Sequence, residues 1–201
     1  MHSPTSTRPL AALSLFDLIA DVPGHFLRVK RSMIDISHAL EEAATTTTIP
    51  CHLFISIQRF SLLEREARRY ARLSSAWRHA WVFGVADVEP PQIPNVTPIV
   101  IPPHHPLAQE WFVVVDGPEF GAALLTADVS GFAIADESRR FMGLWSADTA
   151  LVRAASNRMM QALELPPCSW QIDCAASLAI FTQLSNQLVA LHEERLLSAR
   201  T

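Results

Sequence analysis

The chain has 201 residues, 49% of them apolar and 18% charged, with a formal net charge of −4 at neutral pH. That length suits one domain with helical extensions, and the apolar share is ample for a packed core, which excludes a disordered polymer. A net charge of −4 argues against nucleic acid as the main partner, and the basic side is almost entirely Arg, with Lys30 the only lysine.

Residues 1–12, rich in Ser, Thr and Pro, read as a flexible tail without the charged and apolar regions of a signal segment. No stretch reads as approaching the roughly 20 apolar residues of a membrane span, so no membrane partner is expected and the cytoplasm is the expected location. Leu13 to Asp21 reads as a short helix ended near Pro23-Gly24. The Arg28-Val29-Lys30-Arg31 cluster is too small for a phosphate footprint and reads as a solvated helix face or helix-end contact.

Met33, Ile36, Ala39, Leu40 and Ala43 recur at helical spacing, which predicts a helix from about Ser32 to Ala44. The threonine run 45–48 and Pro50 break it. A strand follows at 53–57, then a helix over 61–77, with Ser61 and Glu64 at the spacing of a capping box. Glu64–Arg68 is an i, i+4 pair that supports this helix and Arg65–Arg69 one that opposes it, and the charged face reads as solvent or partner surface. A second strand at 81–86 completes a strand–helix–strand unit, for which parallel pairing is expected. Further strands are predicted at 97–101, 110–116, 121–127 and 140–145, with a turn at Gly117-Pro118. Helices are predicted at 148–163 and 173–198. In the second, Leu178, Phe181, Leu184, Leu188 and Leu191 lie close to a heptad seam, expected either to pack on the chain's own helices or to serve as a partner or dimer interface.

Familiar chemistry is sparse. The adjacent His104 and His105 point apart on an extended backbone, no HExxH or paired CxxC occurs, and no metal site is expected. The odd count of Cys51, Cys168 and Cys174 reads as reduced thiols, with Cys51 buried at a strand entrance. No Gly-x-Ser-x-Gly elbow or glycine-rich phosphate loop is present, and no catalytic residue is assigned. Gln58 and Arg59, past the end of a strand, occupy a favoured position for ligand contacts, with capping and turn roles as alternatives. Glu110, Trp111 and Trp145 are the other candidate ligand residues. An inward-facing Glu110 would need a partner such as Arg59 or Arg140.

Several phrases together are similar to the DICT sensory domain of diguanylate cyclases and two-component systems. They are Ser37-His-Ala-Leu-Glu41, Gln58-Arg-Phe60, Tyr70, Val82-Phe-Gly-Val85, Pro106-Leu-Ala-x-Glu-Trp111, Gly117-Pro118, Ala127-Asp128 and Arg140-Phe141. The resemblance covers roughly Leu13 to Leu163 and departs at Ile57, where phenylalanine is expected. It implies a noncatalytic input module associated with light-responsive signalling. Without a cyclase, kinase or receiver segment, the output is expected to be another protein or a change in self-association.

The expected fold is α+β or α/β, a mixed β-sheet with one strand–helix–strand unit packed by helices, with N- and C-terminal helical extensions. The expected layout is a tail at 1–12, a sensory domain at 13–165 and a helical extension at 166–201. The expected function is a stand-alone sensory domain that binds a small ligand or a protein partner and relays through its terminal helices. The alternatives are an apolar-cofactor or chromophore binder, and a hydrolase using Glu110, Asp116 or Asp128. The sequence names no cofactor.

Overall fold

A computed structural model describes residues 13–130 and 138–198, so the expected tail at 1–12 lies outside the described residues. The elements in chain order are β1 (Phe26–Val29), α1 (Lys30–Ala43), β2 (His52–Arg59), α2 (Phe60–Leu73), β3 (His79–Val85), β4 (Val96–Val100), β5 (Glu110–Asp116), β6 (Gly121–Asp128), β7 (Arg140–Ser146), α3 (Thr149–Ala162) and α4 (Cys174–Ser198). The seven strands form one mixed sheet in the order β1-β7-β6-β5-β2-β3-β4. β2, β3 and β4 run parallel and every other pair is antiparallel. The architecture is α+β, and the β2–α2–β3 unit pairs as a parallel crossover should.

Both faces of the sheet are covered. Leu53, Ile55, Val113, Val115 and Leu124 pack with Met33 and Leu40 of α1, Leu63 and Tyr70 of α2 and Leu184 of α4. Their neighbours Phe54, Phe112, Val114, Ala123 and Leu125 point the other way, onto Val152, Ala155 and Met159 of α3 and onto Leu15 and Ile19. Double coverage explains why the central strands are nearly continuous apolar runs rather than alternating ones.

The N-terminal segment departs from expectation. Leu13 to Asp21 contains only a 3-10 turn at Phe16–Leu18, and β1 then pairs with β7 where no strand was predicted. The Arg28–Arg31 cluster therefore spans a strand end and a helix start rather than a helix face. The α2 helix begins at Phe60 and stops at Leu73, short of Trp77. No capping box forms: the Ser61 N–H donates to Asp87 Oδ1 at 3.0 Å and the Ser61 hydroxyl donates to Asp87 Oδ2 at 2.5 Å, so a carboxylate from the β3–β4 connection meets this helix start. The α3 start follows local rules, with Asp148 accepting from the N–H groups of Ala150 and Leu151.

The α4 helix is fastened at three points. The Ser177 hydroxyl donates to the Gly121 carbonyl at 2.8 Å and accepts from its N–H at 3.1 Å. Phe181 lies on Trp145 with ring centroids 4.8 Å apart, and Arg195 makes a two-pronged pair with Asp35 of α1. The expected seam thus turns inward over much of its length. Leu184 is buried, Phe181 and Leu188 pack on the chain's own core, Leu191 is half-buried, and Leu178 is exposed. The composition of α4 corrects one expectation, that no stretch is long and apolar enough to span a bilayer: by length and composition alone its 25 residues qualify. Ser, Thr, Gln and Asn interrupt its leucines and hid this in the sequence reading.

The sheet ends on one side with the four-residue β1 and on the other with β4, which carries Pro98 at its centre.

Candidate functional site

A groove of about 480 Å³ lies between α1 and α2, above the end of the sheet where β2 finishes and both helices begin. Its floor is Ile57 of β2 and Trp111 of β5, and its walls are Ile34 and His38 of α1 and Leu62 and Glu66 of α2. Lys30, Arg31 and Arg65 stand at its rim. Such a volume falls within the roughly 300–1,000 Å³ of small-molecule sites, and the end of parallel strands is where α/β sheets commonly place them.

Beyond the floor lies a recess of about 30 Å³, lined among others by Ser37, Glu41, Ile55 and Tyr70. Its polar groups are already engaged. The Trp111 indole N–H donates to Ser37 Oγ at 2.8 Å, and the Tyr70 hydroxyl donates to Glu41 Oε1 at 2.9 Å. Arg69 donates to the other Glu41 oxygen and, at 3.2 Å, to the His38 carbonyl. Burial holds the Tyr70 hydroxyl well above its ordinary pKa, reinforced by the adjacent Glu41 carboxylate. For Arg69 burial works toward a lower pKa, but Glu41 outweighs it and the guanidinium is held above its usual value. This clamp ties α2 to α1 beside the recess. The spacing Arg65–Arg69 therefore brings no simple like-charge pair, because Arg69 turns inward to Glu41 while Arg65 stays at the rim.

Electrostatics differ along the groove. Glu66 lies 3.6 Å from His38 and 4.0 Å from Arg69, whereas Arg31, 67% exposed, lies 3.5 Å from Asp35. Asp35 is in turn gripped by Arg195 of α4. The α1 helix thus forms one wall of the groove and also the seat of the last turns of α4.

Of the five ligand residues expected from sequence, Trp111 alone lines this groove. Glu110, its neighbour in β5, points to the opposite face, where it is 4% exposed and accepts from the N–H groups of Leu15 at 2.9 Å and Phe16 at 3.3 Å. Its partner is the N-terminal segment rather than Arg59 or Arg140. Burial raises the Glu110 pKa, opposed by these hydrogen bonds and one from Ser14. Trp145 sits under α4 against Phe181. Arg59 ends β2 at the N-cap position of α2 and is exposed.

Gln58 lies inside β2, not past its end. The β2–β3 register shifts between Ser56 and Gln58, and Gln58 adopts φ of 63° with its side chain buried. Neither atom of its amide has a hydrogen-bond partner among the described residues. The irregularity falls at Ile57, the residue on the groove floor. Lys30, Arg31, Ile34, His38, Ile57, Leu62, Arg65 and Glu66 were missed as site residues. The available signal was cationic side chains on two predicted helices beside phrases such as Ser37-His-Ala-Leu-Glu41.

The other chemistry-bearing residues do not gather here. His105 Nδ1 accepts from the Leu107 N–H in a 3-10 turn, and no group of three or more His, Cys, Asp or Glu is placed to hold a metal among the described residues. The three cysteines are free thiols. Burial pushes Cys51 up to about 11, and burial followed by the nearby Asp116 carboxylate does the same to Cys168.

A family model described as the sensory domain in diguanylate cyclases and two-component systems matches residues 13–128, more than half of the chain. The chain belongs to the DICT sensory domain family. The match carries the DICT assignment through β6, whereas the sequence resemblance extends it to Leu163. No curated protein and no solved structure matches the chain. The DICT match contains every residue that lines the groove, but its sheet closes only with β7, since β1 joins the other strands through that strand alone.

Proposed function

We propose that this DICT domain is a noncatalytic, cytoplasmic input module in which a small ligand occupies the α1–α2 groove and α1 passes the change to α4. The observation that supports the reading is the double engagement of α1. Ile34 and His38 wall the groove, while Asp35 between them holds Arg195. A ligand that shifts α1 by even a fraction of a side chain alters the geometry of that ion pair, because packed helices move as units. The receiver of the change would be a signalling partner or a second copy meeting α4, whose Leu178, Val189, Leu196 and Leu197 are exposed.

Among the described residues, the three carboxylates of the hydrolase alternative are engaged separately. Glu110 and Asp116 stand at opposite ends of β5. Asp116 accepts from Arg153 and Trp170, Asp128 accepts from Arg139 and Ser130, and Glu110 accepts from backbone N–H groups.

Hydrogen exchange tests the relay. Asp35→Asn removes the charge that holds Arg195 and is expected to speed amide exchange across 174–198 while leaving β5 and β6 protected. Leu62→Trp, which fills the groove mouth, is expected to change the same helix in the wild-type background and to lose that effect in the Asp35→Asn background. Exchange in α4 that ignores both substitutions refutes the relay.

A further inference from the structure

We infer that the ligand of the α1–α2 groove is a small amphipathic anion, one acidic head on an apolar, ring-sized body. This rests on the groove being the ligand site, and it follows from the contrast between rim and floor.

The rim concentrates positive charge in a chain whose net charge is negative. Lys30, the single lysine, stands there with Arg31 and Arg65, and the first turn of α1 adds the partial positive end of a helix dipole. The start of α2 contributes less, because Asp87 already neutralises it. Among the described residues, Glu66 lies against His38 and Arg69, and Asp35, 3.5 Å from the exposed Arg31, is also held by Arg195. An acidic head placed between Arg31 and Arg65 meets cations without displacing a carboxylate from the groove itself.

The floor and the walls just above it offer the opposite chemistry. Ile34, Ile57 and Leu62 present hydrocarbon, and Trp111 presents its ring face or edge, since its N–H is spent on Ser37. A polar body would lose water there without gaining partners. The recess beyond the floor is about 30 Å³ and its Tyr70 hydroxyl is occupied by Glu41, so the body ends at Trp111. A bare inorganic anion would use only the rim. A neutral hydrocarbon would use only the floor and draw nothing from the positive rim.

Two fluorophores separate these cases: 8-anilinonaphthalene-1-sulfonate, and N-phenyl-1-naphthylamine, the same ring system without the sulfonate. The intact chain is expected to bind the sulfonate about tenfold or more tightly than the neutral compound. Arg31→Gln with Arg65→Gln, both exposed and outside the core, should bring the two affinities to within about threefold of each other. Leu62→Trp should weaken both, with near-ultraviolet circular dichroism confirming an intact fold. Equal wild-type affinities for the two compounds overturn the anionic head and leave the groove standing. Competition by inorganic sulfate as effective as that of the aromatic sulfonate overturns the apolar body. Sulfonate binding unaffected by both Leu62→Trp and the double arginine variant overturns the groove itself, and with it the proposed function.

Discussion

Removing the Glu41 carboxylate should detach α1 from α2 at the deep end of the groove. Glu41 is 2% exposed and accepts from a buried tyrosine hydroxyl and from a guanidinium that is 15% exposed. Breaking a buried charge pair by deleting one partner costs about 3–5 kcal/mol. The lower end applies to Glu41→Ala, because Arg69 keeps its bond to the His38 carbonyl and has Glu42 at 3.7 Å and Glu66 at 4.0 Å to fall back on. Tyr70→Phe removes one hydrogen bond and leaves the ion pair, so about 1 kcal/mol is expected. Urea unfolding followed by circular dichroism reads both. With a slope of about 2 kcal/mol per molar, Glu41→Ala should move the midpoint down by about 1.5 M at unchanged slope. A double-mutant cycle with Arg69→Ala should give a coupling of about 1–3 kcal/mol. If Glu41→Ala costs less than about 1 kcal/mol, or no more than Tyr70→Phe, the clamp is not what holds the two helices together.

Two further outcomes follow from the sheet. Burial, assisted by Arg78, lowers the His52 pKa to about 4, so the folded protein refuses a proton that the unfolded chain accepts. Stability from this group is present above about pH 6.5 and is lost as pH falls toward 4, by about 1–2 kcal/mol once discounted for the partial exposure of the ring. His52→Gln should flatten that part of the stability–pH curve, and an unchanged curve would assign the effect elsewhere. At Gly143 a Cβ would come within 2.0 Å of the Leu125 carbonyl oxygen and 2.7 Å of the Thr126 Cα, both backbone atoms of β6. Gly143→Ala should therefore part β6 from β7 at a cost of about 3 kcal/mol or more. A thermal melt near the wild-type midpoint would show that the two strands tolerate greater separation than this packing allows.

Most elements were legible because their apolar residues keep one period over many positions. The helical stripe at Leu151, Val152, Ala155 and Met159 and the parallel β2–α2–β3 unit are examples. β1 was not, since four residues carry little periodic signal and its partner Arg140–Gly143 lies more than a hundred residues away. Glu110 was misread for a related reason: its fate depends on N–H groups of Leu15 and Phe16, which only the tertiary fold brings near. The site itself was the least legible part. Lys30 and Arg65 belong to two different helices and meet only across a groove, and the shift after Ser56 that precedes Gln58 leaves no mark in residue type. The spacing on α4 was read correctly as a stripe, but spacing does not say whether a stripe faces its own chain or another.

The two margins of the sheet bear on how this domain can meet others. β1 offers only four residues, and β4 carries in Pro98 a residue with no N–H to donate. A sheet guarded on both flanks does not grow by accepting a foreign strand, and two copies do not fuse into one continuous sheet. On the proposed relay, contact with another protein would fall to helix surfaces, whose side-chain contacts can form and release without disturbing the hydrogen-bonded frame beneath them.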